Sequence, residues 1–231
     1  MKTYSIRVWD LPTRLFHWAL LALVVAAFTT GQLGGNLIVW HGRIGLAIVG
    51  LLVFRLVWGL VGSTYARFVN FIPSPRQVLN YLRGHWQGLG HNPIGALSVL
   101  ALLALLIFQA GSGLMANDDI AFEGPLYPLV SKDTSDWLSG WHRQIVNLLI
   151  GLVALHLSAI LFYALVKKDN LVRPMITGVK EVADRAARPA VGGGPAAFVL
   201  AAVIALGAVW AASGALLPAP PISPAATAPA W

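Results

Sequence analysis

The sequence predicts an all-α integral membrane protein: a four-helix transmembrane bundle with an additional C-terminal transmembrane helix. Its 231 residues are 57% hydrophobic and only 11% charged, and the mean hydropathy of +0.71 is too apolar for a soluble domain of this size. Five apolar stretches are each long enough, at about 1.5 Å per helical residue, to cross a hydrocarbon core of about 30 Å. The alternating pattern of a membrane barrel is missing, and in lipid only a helix or a closed barrel satisfies its own backbone.

The first span covers about Leu11 to Thr30. Basic residues precede it, as in a signal peptide, but Asp10 and Arg14 interrupt the approach and no small-residue cleavage site follows, so it reads as a retained helix. The short, Gly-rich connection from Gly31 to Asn36 makes the second span, Leu37 to Val61, its antiparallel neighbour. Between Ser63 and Asn92, Pro73, Pro75 and the run from Tyr81 to Trp86 predict a surface segment with one short interfacial helix. The third span is Pro93 to Met115 and the fourth is Trp141 to Val166. Leu171 to Arg188 then mixes Val, Met and Ile with basic residues, the pattern of a helix lying on the membrane surface. Val191 to Gly194 reads as a flexible hinge, and the fifth span, Pro195 to Leu217, has the small-residue composition of a closely packed helix. The division expected is a bundle over 1–180, a cytoplasmic linker over 181–194, the extra helix over 195–217 and a Pro- and Ala-rich periplasmic tail over 218–231.

The net charge of +7 would suit nucleic acid, but its distribution points to a membrane. Twelve of the sixteen Lys and Arg residues fall before the first span (Lys2, Arg7, Arg14), between the second and third (Arg67, Arg76, Arg83) and after the fourth, from Lys167 to Arg188. Alternate connections share one side, and the positive-inside rule makes that side the cytoplasm. The expected location is therefore the bacterial inner membrane, with the N-terminus cytoplasmic, the C-terminus periplasmic and membrane lipid as the surrounding partner. The loop between spans three and four carries Asp118, Asp119, Glu123, Asp133 and Asp136 against Lys132, so the outer loop is acidic. With no cysteine, covalent c-type haem attachment, thiolate-held iron–sulfur clusters and disulfides are excluded.

Four histidines carry the chemistry. His17 and His41 open the first two spans, and His142 and His156 lie fourteen residues apart in the fourth. Fourteen residues are roughly 21 Å and almost four whole turns, so both histidines share one face at opposite depths. By topology His41 and His142 lie at the outer level, and His17 and His156 at the inner level. Ionisable side chains inside a bilayer are costly and usually functional, and this matched set is the ligand pattern of two stacked haems. Arg55 follows His41 by the same interval. It reads either as a partner for a haem propionate or as an Arg snorkelling to the inner surface. Arg14, Arg43 and Arg143 flank the ligand candidates, with lipid headgroups and propionates as alternative partners. His85 and His91 have no depth-matched partner and read as structural, with His91 or Asn92 a candidate lining of a quinone pocket. Met115, at the end of span three, reads as packing.

The segments VWDLPTRLFHW, WHGRIGLAIVGLLVFRLVWGLVG, LGHNPIGA, WHRQIVNLLIGLVALH and KKDNLVRPMITG together resemble the prokaryotic cytochrome b561 family, which includes the b-type membrane subunits of nickel–iron hydrogenases. The resemblance runs from about Ile6 to Lys180. It implies two haem b groups ligated at the positions of His17, His41, His142 and His156, with quinone exchange near one of them. The activity expected is transmembrane electron transfer between the quinone pool and a periplasmic redox protein, a cytochrome c or a hydrogenase-type subunit. The chain would then be the electron-transfer subunit of a membrane oxidoreductase complex. The alternatives are a self-contained superoxide oxidase, passing electrons from superoxide to quinone, and a haem-free membrane anchor. Span five and its tail depart from the simpler members.

Overall fold

In the computed structural model, which describes residues 4–86, 88–120, 122–182 and 187–218, each apolar stretch is one helix whose ends are set by local sequence. α1 (Leu11–Leu33) starts where Asp10 accepts the Thr13 amide at 2.7 Å, with Pro12 in the first turn. It stops at Gly34, whose φ of 63° belongs to the left-handed region that glycine enters freely. α2 (Ile38–Val61) returns antiparallel. Two short helices follow, α3 (Phe68–Phe71) and α4 (Pro75–Leu82), the latter opened by a Ser74–Gln77 capping box. α5 (Pro93–Leu114) is capped by Asn92, which accepts the Gly95 amide at 2.7 Å. α6 (Lys132–Leu165) is capped by Ser131, and α8 (Pro195–Ala212) closes the chain after the short α7 (Val172–Thr177).

α1 packs on α2, α5 packs on α6, and α2 with α5 joins the two pairs. Phe16, Ile48, Leu52, Leu103, Leu106 and Leu149 meet in one apolar cluster drawn from all four of these helices, which is the expected bundle. α8 lies on the far side of α2. Its small face, Ala201, Ala205 and Ala212, is buried; Ala201 joins Trp58 in a second cluster. Gly50 lets Val209 approach so closely that a Cβ there would stand 2.7 Å from Cγ2. The fifth helix is thus a packed part of the fold.

The segment expected to be a surface helix over Leu171–Arg188 is different. Among its described residues only α7 is helical; Gly178, at φ 84°, then turns the chain into β2 (Val179–Val182), which pairs antiparallel with β1 (Tyr4–Arg7) in the register Tyr4 with Val182 and Arg7 with Val179. The strand crosses the expected domain boundary at 180. Its partner lies at the other end of the sequence, so local composition carried no sign of it. The ribbon is tied to the bundle: the Val8 and Trp9 amides both donate to the Gly178 carbonyl, at 2.8 and 3.1 Å, and Arg14 donates to the Ile176 carbonyl. Nor is the 191–194 stretch a loose hinge, because Val191 and Thr64 share three hydrogen bonds and Gly192 bridges Ser63. Between Ser63 and Asn92, where one short interfacial helix is expected, the structure has α4 and the single turn of α3 before it. α6 begins already at Lys132, more than two turns before Trp141. Its extra turns stand beside the outer loop, where the buried Asn117 side chain donates to Ser135 Oγ at 2.7 Å and Asp136 at 2.8 Å. The expected tail over 218–231 lies, beyond Pro218, outside the described residues.

Candidate functional site

His41 and His142, a full loop apart in sequence, meet at one end of the bundle. Their ring centroids are 5.9 Å apart and their planes perpendicular. Both face a cavity of about 450 Å³ lined from α1 by Ala27 and Gly31, from α2 by Gly42 and Gly45, from α5 by Gln109 and Gly113, and from α6 by Ser139 and Val146. That volume lies in the roughly 300–1,000 Å³ range of small-molecule and cofactor sites. A metal ion accepts imidazole nitrogen at about 2.0–2.1 Å, so two rings facing one another across it stand about 6 Å apart, centroid to centroid. The pair fits.

The second contacts of the two rings choose the nitrogen that faces the cavity. His41 Nδ1 is 2.8 Å from the Ala27 carbonyl and His142 Nδ1 is 2.9 Å from the Gln109 carbonyl. A carbonyl only accepts, so each Nδ1 carries the proton and each Nε2 keeps a free lone pair. This is the arrangement by which metal-binding histidines are oriented. Ser112 Oγ lies 3.2 Å from the same Nδ1 of His142. Glycines make room for both rings: a Cβ on Gly31 would stand 2.9 Å from His41 Nδ1, and one on Gly113 would stand 2.8 Å from His142 Cε1. Sequence reading missed these supports. The available signal was Gln109 and Ser112, polar residues three apart on one helical face inside an apolar span.

At the opposite end of α1 and α6, His17 and His156 lie within electrostatic reach of one another. His17 Nδ1 is buried with no hydrogen-bond partner. α1 and α6 make little direct contact, so this pair also spans a gap between the two halves of the bundle. Arg55 is 3% exposed, which excludes snorkelling; its guanidinium lies over Phe68 at 4.8 Å and Phe71 at 5.7 Å. His91 corrects the expectation that it lacks a partner at depth. Its ring sits between Trp9 and Phe71, at 4.7 and 4.8 Å, within reach of Arg55, His156 and His17. Burial, and then the Arg55 charge, push its pKa down to about 3. The neighbouring Asn92 donates to the Tyr163 hydroxyl at 2.8 Å, and Tyr163 shares a 2.6 Å hydrogen bond with Tyr81.

The remaining sequence candidates are placed as follows. Arg14 ties α1 to the segment before β2 and keeps a buried Nε without a partner. Arg143 lines the cavity of His41 and His142. Arg43 lies over Trp40 at 5.0 Å. His85 is exposed, and the Met115 carbonyl accepts from Ser135 at 2.6 Å.

The chain resembles known proteins over most of its length. The family model described as prokaryotic cytochrome b561 matches residues 8–178. The chain is 20% identical over 212 residues to the probable Ni/Fe-hydrogenase 1 B-type cytochrome subunit of Escherichia coli (strain K12), covering 75% of this chain and 89% of that protein. It is 21% identical over 221 residues to the probable Ni/Fe-hydrogenase B-type cytochrome subunit of Rhizobium leguminosarum bv. viciae, covering 80% and 92%. No solved structure matches the chain.

Proposed function

The chain belongs to the prokaryotic cytochrome b561 family, and on that premise we propose that it carries electrons across the membrane through two bis-histidine b haems, between the quinone pool and a redox protein on the outer side. Membership alone makes it a multi-pass membrane electron-transfer protein of the haem b type. The observation that carries the finer reading is the perpendicular His41–His142 pair, facing a shared cavity with both Nδ1 protons held by carbonyls. His17 and His156 form the second pair. The bound haems supply the reversible one-electron chemistry. The histidines of this chain would hold the iron, the Ala27 and Gln109 carbonyls fix the tautomers of His41 and His142, and apolar side chains surround them.

By the positive-inside rule, the basic connections support a cytoplasmic level for His17 and His156 and an outer side for the acidic loop. Quinone exchange is assigned to the inner end. There Asn92, Tyr163 and Tyr81 supply amide and hydroxyl groups suited to a quinone oxygen, two turns beyond His156 on α6. The outer partner is best read as a hydrogenase-type subunit or a cationic electron carrier. Ni/Fe-hydrogenase cytochrome subunits are the relatives, and the outer loop carries five acidic residues against Lys132. The same acidity weighs against superoxide as substrate, because an anion is repelled.

The test is a pyridine haemochrome assay on the protein purified in mild detergent. About two noncovalent haems per chain are expected. A ratio near one ends the two-haem reading, and a chain without a haem spectrum is an anchor.

A further inference from the structure

Arg55 holds a charge that the fold leaves without a direct partner. Its side chain is buried, Nη1 has no hydrogen-bond partner, and its guanidinium lies over the faces of Phe68 and Phe71. Asp10 is within electrostatic reach, but its two oxygens already accept from the Thr13 amide at 2.7 Å and the Trp58 indole at 3.1 Å. A buried guanidinium left in that state is strongly unfavourable, so the site calls for an anion. His91 packs on the same Phe71 within electrostatic reach of Arg55, and its Nδ1 is also buried and without a partner. Both groups lie at the level of the inner ligand pair.

We propose that Arg55 and His91 form a carboxylate-binding chamber that holds one propionate of the haem carried by His17 and His156. A carboxylate has two oxygens: one suits the planar guanidinium fork, and the other suits a single ring N–H donor. The assignment rests on the proposed inner haem, and the ligand chemistry has a second source, a free carboxylate anion.

The full-length protein, produced in haem-deficient cells and purified in detergent, is titrated with protohaem and with its dimethyl ester, which lacks carboxylates. In the wild type the inner site is expected to take the ester at least tenfold more weakly than haem. Arg55→Met should remove most of that preference, and Arg55→Lys should retain part of it. The inner haem's midpoint potential should fall in Arg55→Met, because the carboxylate is left uncompensated, while the outer haem's stays put and reports an intact fold. His91→Phe provides a second variant with the same direction of effect. An inner site that binds ester and haem equally overturns the chamber while leaving the bis-histidine site standing. A wild type with no inner haem overturns both. Ester binding undiminished, with an inner spectrum that shifts on adding formate, makes a free anion the occupant and overturns the haem assignment.

Discussion

The imidazoles of His41 and His142 stand 5.9 Å apart with perpendicular planes, although α2 and α6 make little direct contact along their lengths. What holds the rings in place is a set of neighbours on other helices. Ala27 and Gly31 of α1 support His41, and Gln109, Ser112 and Gly113 of α5 support His142.

Gly113→Ala or Gly31→Ala therefore attacks the outer site without touching a ligand. Each added methyl falls 2.8–2.9 Å from an imidazole atom, inside ordinary van der Waals contact, so the ring must turn. Loss of ligand orientation typically costs about 10–100-fold in metal affinity. The outer haem should bind that much more weakly in a haem titration, with the inner component unchanged. Equal loss of both components would contradict the assignment.

Replacing His41 or His142 by Ala should abolish the outer spectral component, and replacing His17 or His156 the inner one. Low-temperature optical and paramagnetic resonance spectra separate the two. If His41→Ala and His156→Ala remove the same component, the pairing is wrong.

His91 sets a pH dependence. Burial holds its folded pKa down at about 3, below the ordinary imidazole value of about 6.5, so between those values the unfolded chain binds more protons. Stability then falls as pH drops from about 7 toward 4, by at most about 1.4 kcal/mol per pH unit. Thermal unfolding in detergent across that window should show the slope, and His91→Phe, which keeps a ring between Trp9 and Phe71, should flatten it. An unchanged slope in the variant assigns the effect elsewhere.

Reporter fusions test the orientation. A fusion after Lys180 should be active on the cytoplasmic side, and one at Trp231 on the periplasmic side, because five spans put the two ends on opposite faces. The reverse pattern would invert the inner and outer assignments.

The five spans and the shared face of His142 and His156 were legible because both depend on spacing along a single helix. Fourteen residues fix His142 and His156 on one face whatever surrounds them. Arg55 was ambiguous for the opposite reason: whether it snorkels or stays buried depends on Phe68 and Phe71, which reach it only because the chain folds back after α2. His91 looked isolated in a loop, and only the packing of Trp9 and Phe71 around it brings it to the inner level. The glycine notches under His41 and His142 were hidden in spans where any small residue would have passed as helix packing.

The pairing of β1 with β2 also fixes an order of assembly. Tyr4–Arg7 leaves the ribosome first, and its partner Val179–Val182 emerges only after α6 has been made. Until then the early helix pair α1 and α2 carries His17 and His41 with nothing to face them, and contacts of such long sequence separation form late. The ribbon is therefore a latch that can shut only once α6 is complete. A nascent chain that has just completed α6 already holds all four histidines before the ribbon at that end of the bundle can form.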